Sequence, residues 1–556
     1  MSHRWLENTT QELFAQQVEE HPDKVAIVNE GTEEHTFADV MEDANRVSGA
    51  LQQLGVGEGD HVAILMSTFP EFVHAMYGTL QLGSRFNPYN IMWGTSELGQ
   101  VMERADPKVL ITMDEFQGTD YIRMIRTALP DLEVNSDGSV ESERVPSLER
   151  LVSYSLNDET YEEFVDYEEF VEMGDDYDED ELADQRQQNE NDDAQFILQT
   201  SGTTGVSKSA LQHHRSLLGN AHFASKEMNY KKGETYINFA PFYHNAGLVL
   251  GVITNTAYVG NTVYLQEFFK PAEALDLIEE HEIDAAFGFG TMYAALKQVP
   301  NFEEYDFPIR KGVLGATPAQ YDMIVDMSDA DEDDTYFTHT YAQTESGPII
   351  TLVQADNRNH ELRKYSKGKP VAGIEMTIKD PQTGEELGPG DGGELCYRGW
   401  SLFDGYYNQP ERTEEGYDED GYWHSGDYGW IDGAHVYFKG RLDDVVKSGG
   451  ENVSTKEVET FLADQFDELA EAQVVGVDDD YWGDRVVAFV EYAEGADKLT
   501  TEEWRERCKG KIADYKIPKN FIEIEADWPV TPTGKIQKDE LAGQAEAILE
   551  DELRTE

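Results

Sequence analysis

The chain has 556 residues and a formal net charge of -68, from 111 acidic against 43 basic residues. That balance works against nucleic acid and anionic membrane surfaces as partners. With 39% hydrophobic residues, 28 Tyr, 25 Phe and 8 Trp, it is too rich in core-forming side chains for a disordered acidic protein, so the acidity belongs to the surface of a globular chain of roughly three to four domain-sized units. Self-repulsion of this size destabilises the compact state in dilute buffer and is screened near roughly 1 M salt, where the Debye length is about 3 Å, so the composition suits a salt-rich cytoplasm. The two cysteines, Cys396 and Cys508, form no CxxC and have no His cluster beside them in sequence. They support neither a disulfide framework nor a zinc site and fit a reducing interior.

In chain order, Met1 to Thr10 is polar with no apolar signal core. Helix-like and strand-like patterns then alternate: Gln11 to Glu20 helical, Val25 to Val28 extended, Phe37 to Leu54 helical, His61 to Leu65 extended. This alternation predicts an α/β sheet protein. Residues 157–193 are thick with Asp and Glu interrupted by Tyr and Phe, and read as a solvated insertion or linker. The uncharged stretch from Asn245 to Gln266 is long enough to span a membrane by count. Its Asn, Thr and Gly content instead predicts a buried helix and strand. From Gly368 to Gly440 turn pairs such as Asp391-Gly392 and Asp404-Gly405 recur between short extended runs, a small β-rich subdomain. After Arg441, Lys456 to Leu469 and Glu502 to Ile512 read as helices and Ala472 to Val477 and Val486 to Tyr492 as strands. The expected division is a large body over 1–440 and a small mobile α+β domain over 441–556.

The most informative segment is Thr200-Ser201-Gly202-Thr203-Thr204-Gly205-Val206-Ser207-Lys208, directly after the apolar run Phe196-Ile197-Leu198. Glycines let backbone N–H groups converge, the hydroxyls add donors and the lysine adds a full charge, which together suit phosphate. It is not a Walker loop, because that motif needs a Gly-Lys pair and here Lys208 follows Ser207. Between Trp504 and Lys519 six basic residues (Arg505, Arg507, Lys509, Lys511, Lys516, Lys519) stand against Glu506 and Asp514, a local excess that reads either as a solvated face or as a surface for a polyanion.

Four more segments stand beside the loop: Tyr341-Ala342-Gln343-Thr344-Glu345, Tyr422-Trp423-His424-Ser425-Gly426-Asp427, Gly440 to Asp444 with Lys447-Ser448-Gly449-Gly450, and Pro532-Thr533-Gly534-Lys535. In this order and at these spacings they resemble the adenylate-forming superfamily of acyl-CoA synthetases, nonribosomal adenylation domains and luciferases. The resemblance covers residues from about 10 to 542. It implies a large α/β body of two mixed sheets with helices and a small β subdomain, a mobile C-terminal domain, and ATP, Mg²⁺ and CoA as cofactors. The reaction implied turns a carboxylic acid and ATP into an acyl adenylate and pyrophosphate, then passes the acyl group to a thiol.

By the same resemblance the loop from Thr200 through Ser201, Gly202, Thr203, Thr204 and Gly205 to Lys208 holds the β- and γ-phosphates. Thr344 and Glu345 stand at the catalytic centre, with Glu345 and Thr204 serving Mg²⁺. Tyr341 stacks on adenine and Gly315-Ala316-Thr317 lines it. Asp427 accepts from the ribose hydroxyls with Arg441 assisting, and Lys535 meets the α-phosphate. Asp443 falls at the hinge, and Lys447-Ser448-Gly449-Gly450 comes to the thiol tunnel. Taken alone, Asp427 reads rather as a turn residue and Arg441 as a surface ion pair, and for Asp443 hinge and structural turn cannot be separated. His244, in Pro241-Phe242-Tyr243-His244, is either a gate of the acyl pocket or a core histidine; His213 and His214 read as structural. The chain departs from the family pattern at Ser207-Lys208-Ser209, where Pro-Lys-Gly is usual, and at Ser454-Thr455, where an aromatic and a proline are frequent. The reading is an AMP-forming acyl-CoA synthetase acting on a fatty or other apolar acid, with a carrier-loading enzyme and a non-catalytic sensor as the alternatives. The basic run from Arg505 to Lys519 would then meet CoA phosphates.

Overall fold

The computed structural model describes residues 4–200, 207–330, 334–354, 357–442, 445–448, 451–479, 483–493, 495–509, 511–512, 514–524, 528–530 and 536–555. The body is built on two sheets. One has seven strands in the order Tyr336–His339, Lys311–Gly315, Ala285–Phe289, Thr235–Asn238, Thr262–Leu265, Val25–Asn29 and Glu33–Thr36, parallel except for the last. The other has eight, in the order Val165–Asp166, Arg150–Tyr154, Val109–Met113, His61–Leu65, Arg85–Pro88, Phe196–Gln199, Ser209–Gln212 and Gly405–Tyr406. Its first six strands run parallel and the last two pairings are antiparallel. The central strands His61–Leu65 and Val109–Met113 are buried at every residue, as a parallel sheet covered on both faces requires.

Local signals set the helix starts. Thr9 with Glu12 and Thr36 with Asp39 form reciprocal capping boxes, so the first two long helices begin at Thr10 and Phe37. The uncharged stretch forms the helix Gly247–Val259 followed by the strand Thr262–Leu265, as its polar content implies. This helix is wound wider than an α-helix. Thr254 and Asn255 return side-chain hydrogen bonds to the carbonyls five residues back, at 2.7 and 2.8 Å. Its backbone polarity is therefore satisfied inside a core where residues 247–258 are all buried. Among the described residues no helix is long and apolar enough to cross a membrane.

The acidic segment 157–193 is more than a linker. Val165–Asp166 extends the eight-stranded sheet at its edge, Tyr167–Met173 and Glu179–Gln188 are helices, and Tyr167, Phe170, Val171 and Leu182 are buried. Average composition concealed this because the apolar residues are few and all on one side, while the acidic ones cover the other. Contact with the body is close at Gly174, where an added Cβ would lie 1.8 Å from the Arg46 carbonyl oxygen.

The β-rich region is a four-stranded antiparallel sheet, Ile374–Lys379, Gly393–Gly399, Trp423–Asp432 and His435–Arg441. The small C-terminal unit has its own sheet, in the order Glu451–Ser454, Val445–Ser448, Gly483–Tyr492 and Leu469–Asp479, with Asn520–Glu523 alongside Gly483–Tyr492. Trp504, wholly buried, centres one side of that unit, and Leu541, Ala545 and Leu549 of the helix Lys538–Thr555 pack on the other. Ser454 caps the helix Thr455–Gln465 and Thr455 accepts from Lys538 at 2.7 Å, so both departures from the family pattern have structural work. The helix expected over Glu502 to Ile512 ends at Cys508, because Lys509 takes extended ψ.

Gly174→Ala forces a methyl against backbone that has no rotamer to yield, and overpacking of this kind costs about 1–3 kcal/mol. Chemical denaturation should show a loss of that size; a neutral result would mean that the segment is a loosely attached linker after all.

Candidate active site

The candidate phosphate-loop segment lies in sequence between the antiparallel strands Phe196–Gln199 and Ser209–Gln212. Residues 201–206 lie outside the described residues, but the neck of the loop is defined. Thr200 N–H donates to the Lys208 carbonyl at 2.9 Å and Lys208 N–H to the Thr200 hydroxyl at 3.0 Å. Ser207 Oγ donates to the Thr200 carbonyl, and Ser209 Oγ to Gln199 Oε1 at 3.1 Å. The two serines that replace Pro and Gly of the usual pattern thus help to close the neck.

Lys208 reaches from this neck toward the seven-stranded sheet through a tyrosine on the edge of its own sheet. Its Nζ donates to the Tyr406 hydroxyl at 2.8 Å, the Tyr406 hydroxyl donates to Glu345 Oε1, and Lys208 Nζ lies 3.8 Å from Glu345. Tyr406 ends the edge strand beside Ser209–Gln212, whereas Glu345 sits on the single turn Thr344–Ser346 that follows the edge strand of the seven-stranded sheet. Gln212 Nε2 donates to the Thr344 carbonyl at 2.7 Å and Phe403 N–H to the Glu345 carbonyl at 2.9 Å, fixing that turn. Burial lowers the Lys208 pKa, with Glu345 pulling the other way, and burial with the Glu345 charge raises that of Tyr406. The pair is a cation and an anion held apart by a neutral phenol.

A second network surrounds Asp427. Its Oδ2 accepts from the Tyr341 hydroxyl at 2.7 Å and from Gln343 Nε2 at 2.8 Å, and its Oδ1 faces Arg441 Nε at 3.1 Å. Gln343 also donates to the Ser425 carbonyl and accepts from the Tyr397 hydroxyl, and Arg441 donates to the same Ser425 carbonyl. Asp427 lies in a wide bulge, since three residues, Ser425 to Asp427, stand opposite Leu395 between the pairs Glu394–Tyr428 and Cys396–His424. Gly426 takes φ +68 there, a left-handed conformation suited to glycine. Burial pushes the Asp427 carboxyl up to about 6, against the opposing pull of Arg441.

Gly315 ends the strand beside Tyr336–His339, Thr317 caps the following helix, and Ala316 lies between, so Gly315-Ala316-Thr317 and Tyr341 leave the C-terminal ends of adjacent parallel strands. Ligands of open α/β sheets bind at such ends. The Tyr341 ring is buried between Tyr397 and Phe438. His244 is exposed and meets Phe289 edge-on at 5.8 Å, and a Cβ at Gly315 would lie 2.7 Å from that same Phe289 ring. One aromatic therefore joins the His244 and Gly315 segments. His214 is buried and bonded to Thr10 and Gln195.

Lys447 and Ser448 belong to a strand of the small unit, with Ser448 buried. Asp443, Gly449, Gly450 and Lys535 lie outside the described residues. Within the basic run, Arg507 pairs with Glu468, Lys509 with Glu506 and Lys516 with Glu457. These cations are neutralised locally, so the run carries less net charge than its sequence implies. Tyr406 and Gln343 were missed as site residues. Gln343 stands inside the Tyr341 to Glu345 segment and was open to notice; Tyr406 follows a turn pair and has no signal of its own.

The sequence profile of the AMP-binding enzymes matches residues 14–407, and that of the AMP-binding enzyme C-terminal domain matches residues 457–535. The chain belongs to the AMP-binding enzyme family. YngI of Bacillus subtilis, itself assigned as an acyl-CoA synthetase, is 29% identical over 542 residues, 96% of this chain and 96% of its own. The mitochondrial medium-chain acyl-CoA ligase ACSF2 of Danio rerio is 28% identical over 557 residues, 99% of this chain and 90% of its own. The crystal structure of ATP-bound MatB from Rhodopseudomonas palustris shares the fold, with a TM-score of 0.79 at 24% identity, covering 97% of this chain and 99% of that one.

The raised Asp427 pKa has a stability consequence with a definite sign. The folded carboxyl holds its proton more tightly than the ordinary value of 3.8, so the folded state gains stability as pH falls through about 6. Relative to Asp427→Asn, the wild type should gain about 1 kcal/mol between pH 7 and 5. Denaturation of both proteins across that range checks this, and a constant difference would show that the carboxyl titrates normally.

Proposed function

We propose that the Lys208–Tyr406–Glu345 bridge and the Asp427 network are the two halves of one ATP site, the first for the phosphates and the second for the ribose. The enzyme is an acid-thiol ligase of the AMP-forming acyl-CoA synthetase type. It uses ATP and Mg²⁺ to convert a carboxylic acid to an acyl adenylate with release of pyrophosphate, then transfers the acyl group to CoA, giving acyl-CoA and AMP. The observation that carries the site reading is the Tyr406 bridge, which stands between a half-buried lysine and a buried carboxylate 3.8 Å from each other at the junction of the two sheets. A phosphate chain and its magnesium would add to the partners of both, with the phenol kept in place between them.

The chemistry of the donors fits magnesium. Glu345 offers carboxylate oxygen at 8% exposure, and a hard cation completes such a site with phosphate oxygens. When bound, the ion shields phosphate charge from the incoming carboxylate. Glu345 holds it with Thr204, and Thr344 positions Glu345. Thr200, Ser201, Gly202, Thr203, Gly205 and Lys208 hold the β- and γ-phosphates. Tyr341 and Gly315-Ala316-Thr317 flank adenine, with the ring of Tyr341 fixed by its hydroxyl on Asp427. Asp427 and Arg441 engage the ribose. Lys535 meets the α-phosphate where charge builds during attack.

The division at Arg441 into a body and a mobile domain, with Asp443 as hinge, lets Lys535 withdraw and Lys447-Ser448-Gly449-Gly450 approach the thiol path after the first half-reaction. His244, exposed beside Phe289, forms a wall of the acyl pocket. The uncharged helix Gly247–Val259 close behind it, and the medium-chain acid in the name of the ACSF2 relatives, support an apolar, medium-chain fatty acid as substrate. The surface charge supports a salt-rich cytoplasm of the haloarchaeal kind as the working medium.

Pyrophosphate release with ATP, Mg²⁺ and CoA, measured in molar KCl over acetate, medium-chain, long-chain and aryl acids, should peak with a medium-chain acid and decline in dilute buffer. Lys535→Ala should slow adenylation by about 100- to 1,000-fold. No turnover with any acid would favour a nucleotide or acyl-CoA sensor, and thioester formed on a carrier protein but not on CoA would favour a carrier-loading enzyme.

A further inference from the structure

A group of buried polar atoms lies between the edge strand Glu33–Thr36 and the helices Phe37–Gln53, Pro70–Gln81 and Tyr167–Met173. One ligand atom each of His35, Asp43 and His74 lies within 4.8 Å of the other two. His74 is 4% exposed, its Nδ1 is 3.9 Å from Asp43 Oδ2, and its Nε2 has no hydrogen-bond partner among the described residues. The His35 and His74 rings meet edge-on at 5.5 Å. His35 Nε2 lies 3.3 Å from Glu33 without making a hydrogen bond.

The surroundings are short of partners too. Glu71 Oε2 and the Tyr167 hydroxyl are buried and unpartnered among the described residues, and both lie within electrostatic reach of this group. Buried polar atoms in native proteins are almost always satisfied, and several orphans converging on one place ask for a common partner. The charges there favour a cation: Asp43, Asp39, Glu33 and Glu71 on one side against Arg46, whose NH1 faces the far oxygen of Asp43 at 3.6 Å. His35 and Asp43 are partly exposed and give the group a way in from solvent.

We propose that His35, Asp43 and His74 form a site for a first-row divalent transition ion of the zinc class, separate from the magnesium of the ATP site. Two imidazoles and one carboxylate select such an ion over Mg²⁺ or Ca²⁺, which take oxygen ligands. The metal would tie the edge strand to two helices of the body. Glu71 and Tyr167 line the site as partners for its ligands or for bound water. A second grouping, Glu394, Cys396 and His424, carries no such inference. There the Glu394 carboxylate is already shared between His424 Nδ1 at 2.7 Å and the Gly426 N–H at 2.8 Å.

The test uses Co²⁺ alone as probe, on full-length protein stripped with chelator and kept in molar KCl to suppress binding by surface carboxylates. The wild type should take up one tight equivalent with visible d–d bands, lose it to Zn²⁺, and melt at a higher temperature when loaded. His35→Ala and Asp43→Asn, checked for retained pyrophosphate release, should lose the tight equivalent and the bands. Equal uptake by wild type and His35→Ala, or uptake without bands or a melting shift, would overturn the site and leave surface carboxylates as the binders. Should either variant misfold, the wild type decides alone: two hyperfine-shifted imidazole N–H proton signals in the Co²⁺ form support the site, and none overturns it.

Discussion

The hydroxyl of Tyr406 is the contact on which the arrangement of the site depends. A lysine and a carboxylate buried together attract, and direct contact would leave both spent on each other. The phenol prevents this by accepting from Lys208 and donating to Glu345. Because Tyr406 belongs to the eight-stranded sheet, Lys208 immediately precedes one of its strands and Glu345 follows an edge strand of the seven-stranded one, this one group links the two sheets. The Asp427 network repeats the logic, with Gln343 reaching Asp427 from the same segment that carries Glu345.

Charge is distributed accordingly. The chain's large acidic excess covers its outside, and the buried lysines Lys311 and Lys379 pair with Glu234 at 2.6 Å and Asp418 at 2.5 Å, while the half-buried Lys208 rests on Tyr406. Even the basic run of the small unit is partly neutralised by its own glutamates. A highly anionic substrate such as ATP therefore meets positive charge at a small number of fixed positions in an otherwise repelling field, which favours specificity over simple electrostatic attraction.

Much of this was legible in the sequence. Hydrophobic runs gave strands such as His61–Leu65 to the residue, because parallel strands buried on both faces need continuous apolar side chains. Gly, Ser, Thr and Lys in one short span mark the candidate phosphate loop, and ordered motifs point to Tyr341, Glu345, Asp427 and Arg441, which the fold brings into two neighbouring networks. What escaped depends on tertiary contact. Tyr406 gains its role from Glu345, 61 positions away. His35, Asp43 and His74 come from a strand and two helices with no motif spacing. The order within the acidic segment 157–193 escapes a reading of average composition because five buried apolar residues, Phe164, Tyr167, Phe170, Val171 and Leu182, hold it to the body.

The central claim is that Tyr406 poises Lys208 and Glu345 for the phosphates and magnesium, and Tyr406→Phe tests it most directly, since the ring can keep its packing on Phe403 and Trp423 while the hydroxyl is lost. Steady-state adenylation over a series of ATP and Mg²⁺ concentrations should show kcat/KM for Mg-ATP reduced by about 10- to 100-fold, the value of a hydrogen bond to charged groups. An unchanged kcat/KM, with the variant fully folded, would contradict the account and make the bridge a packing contact only.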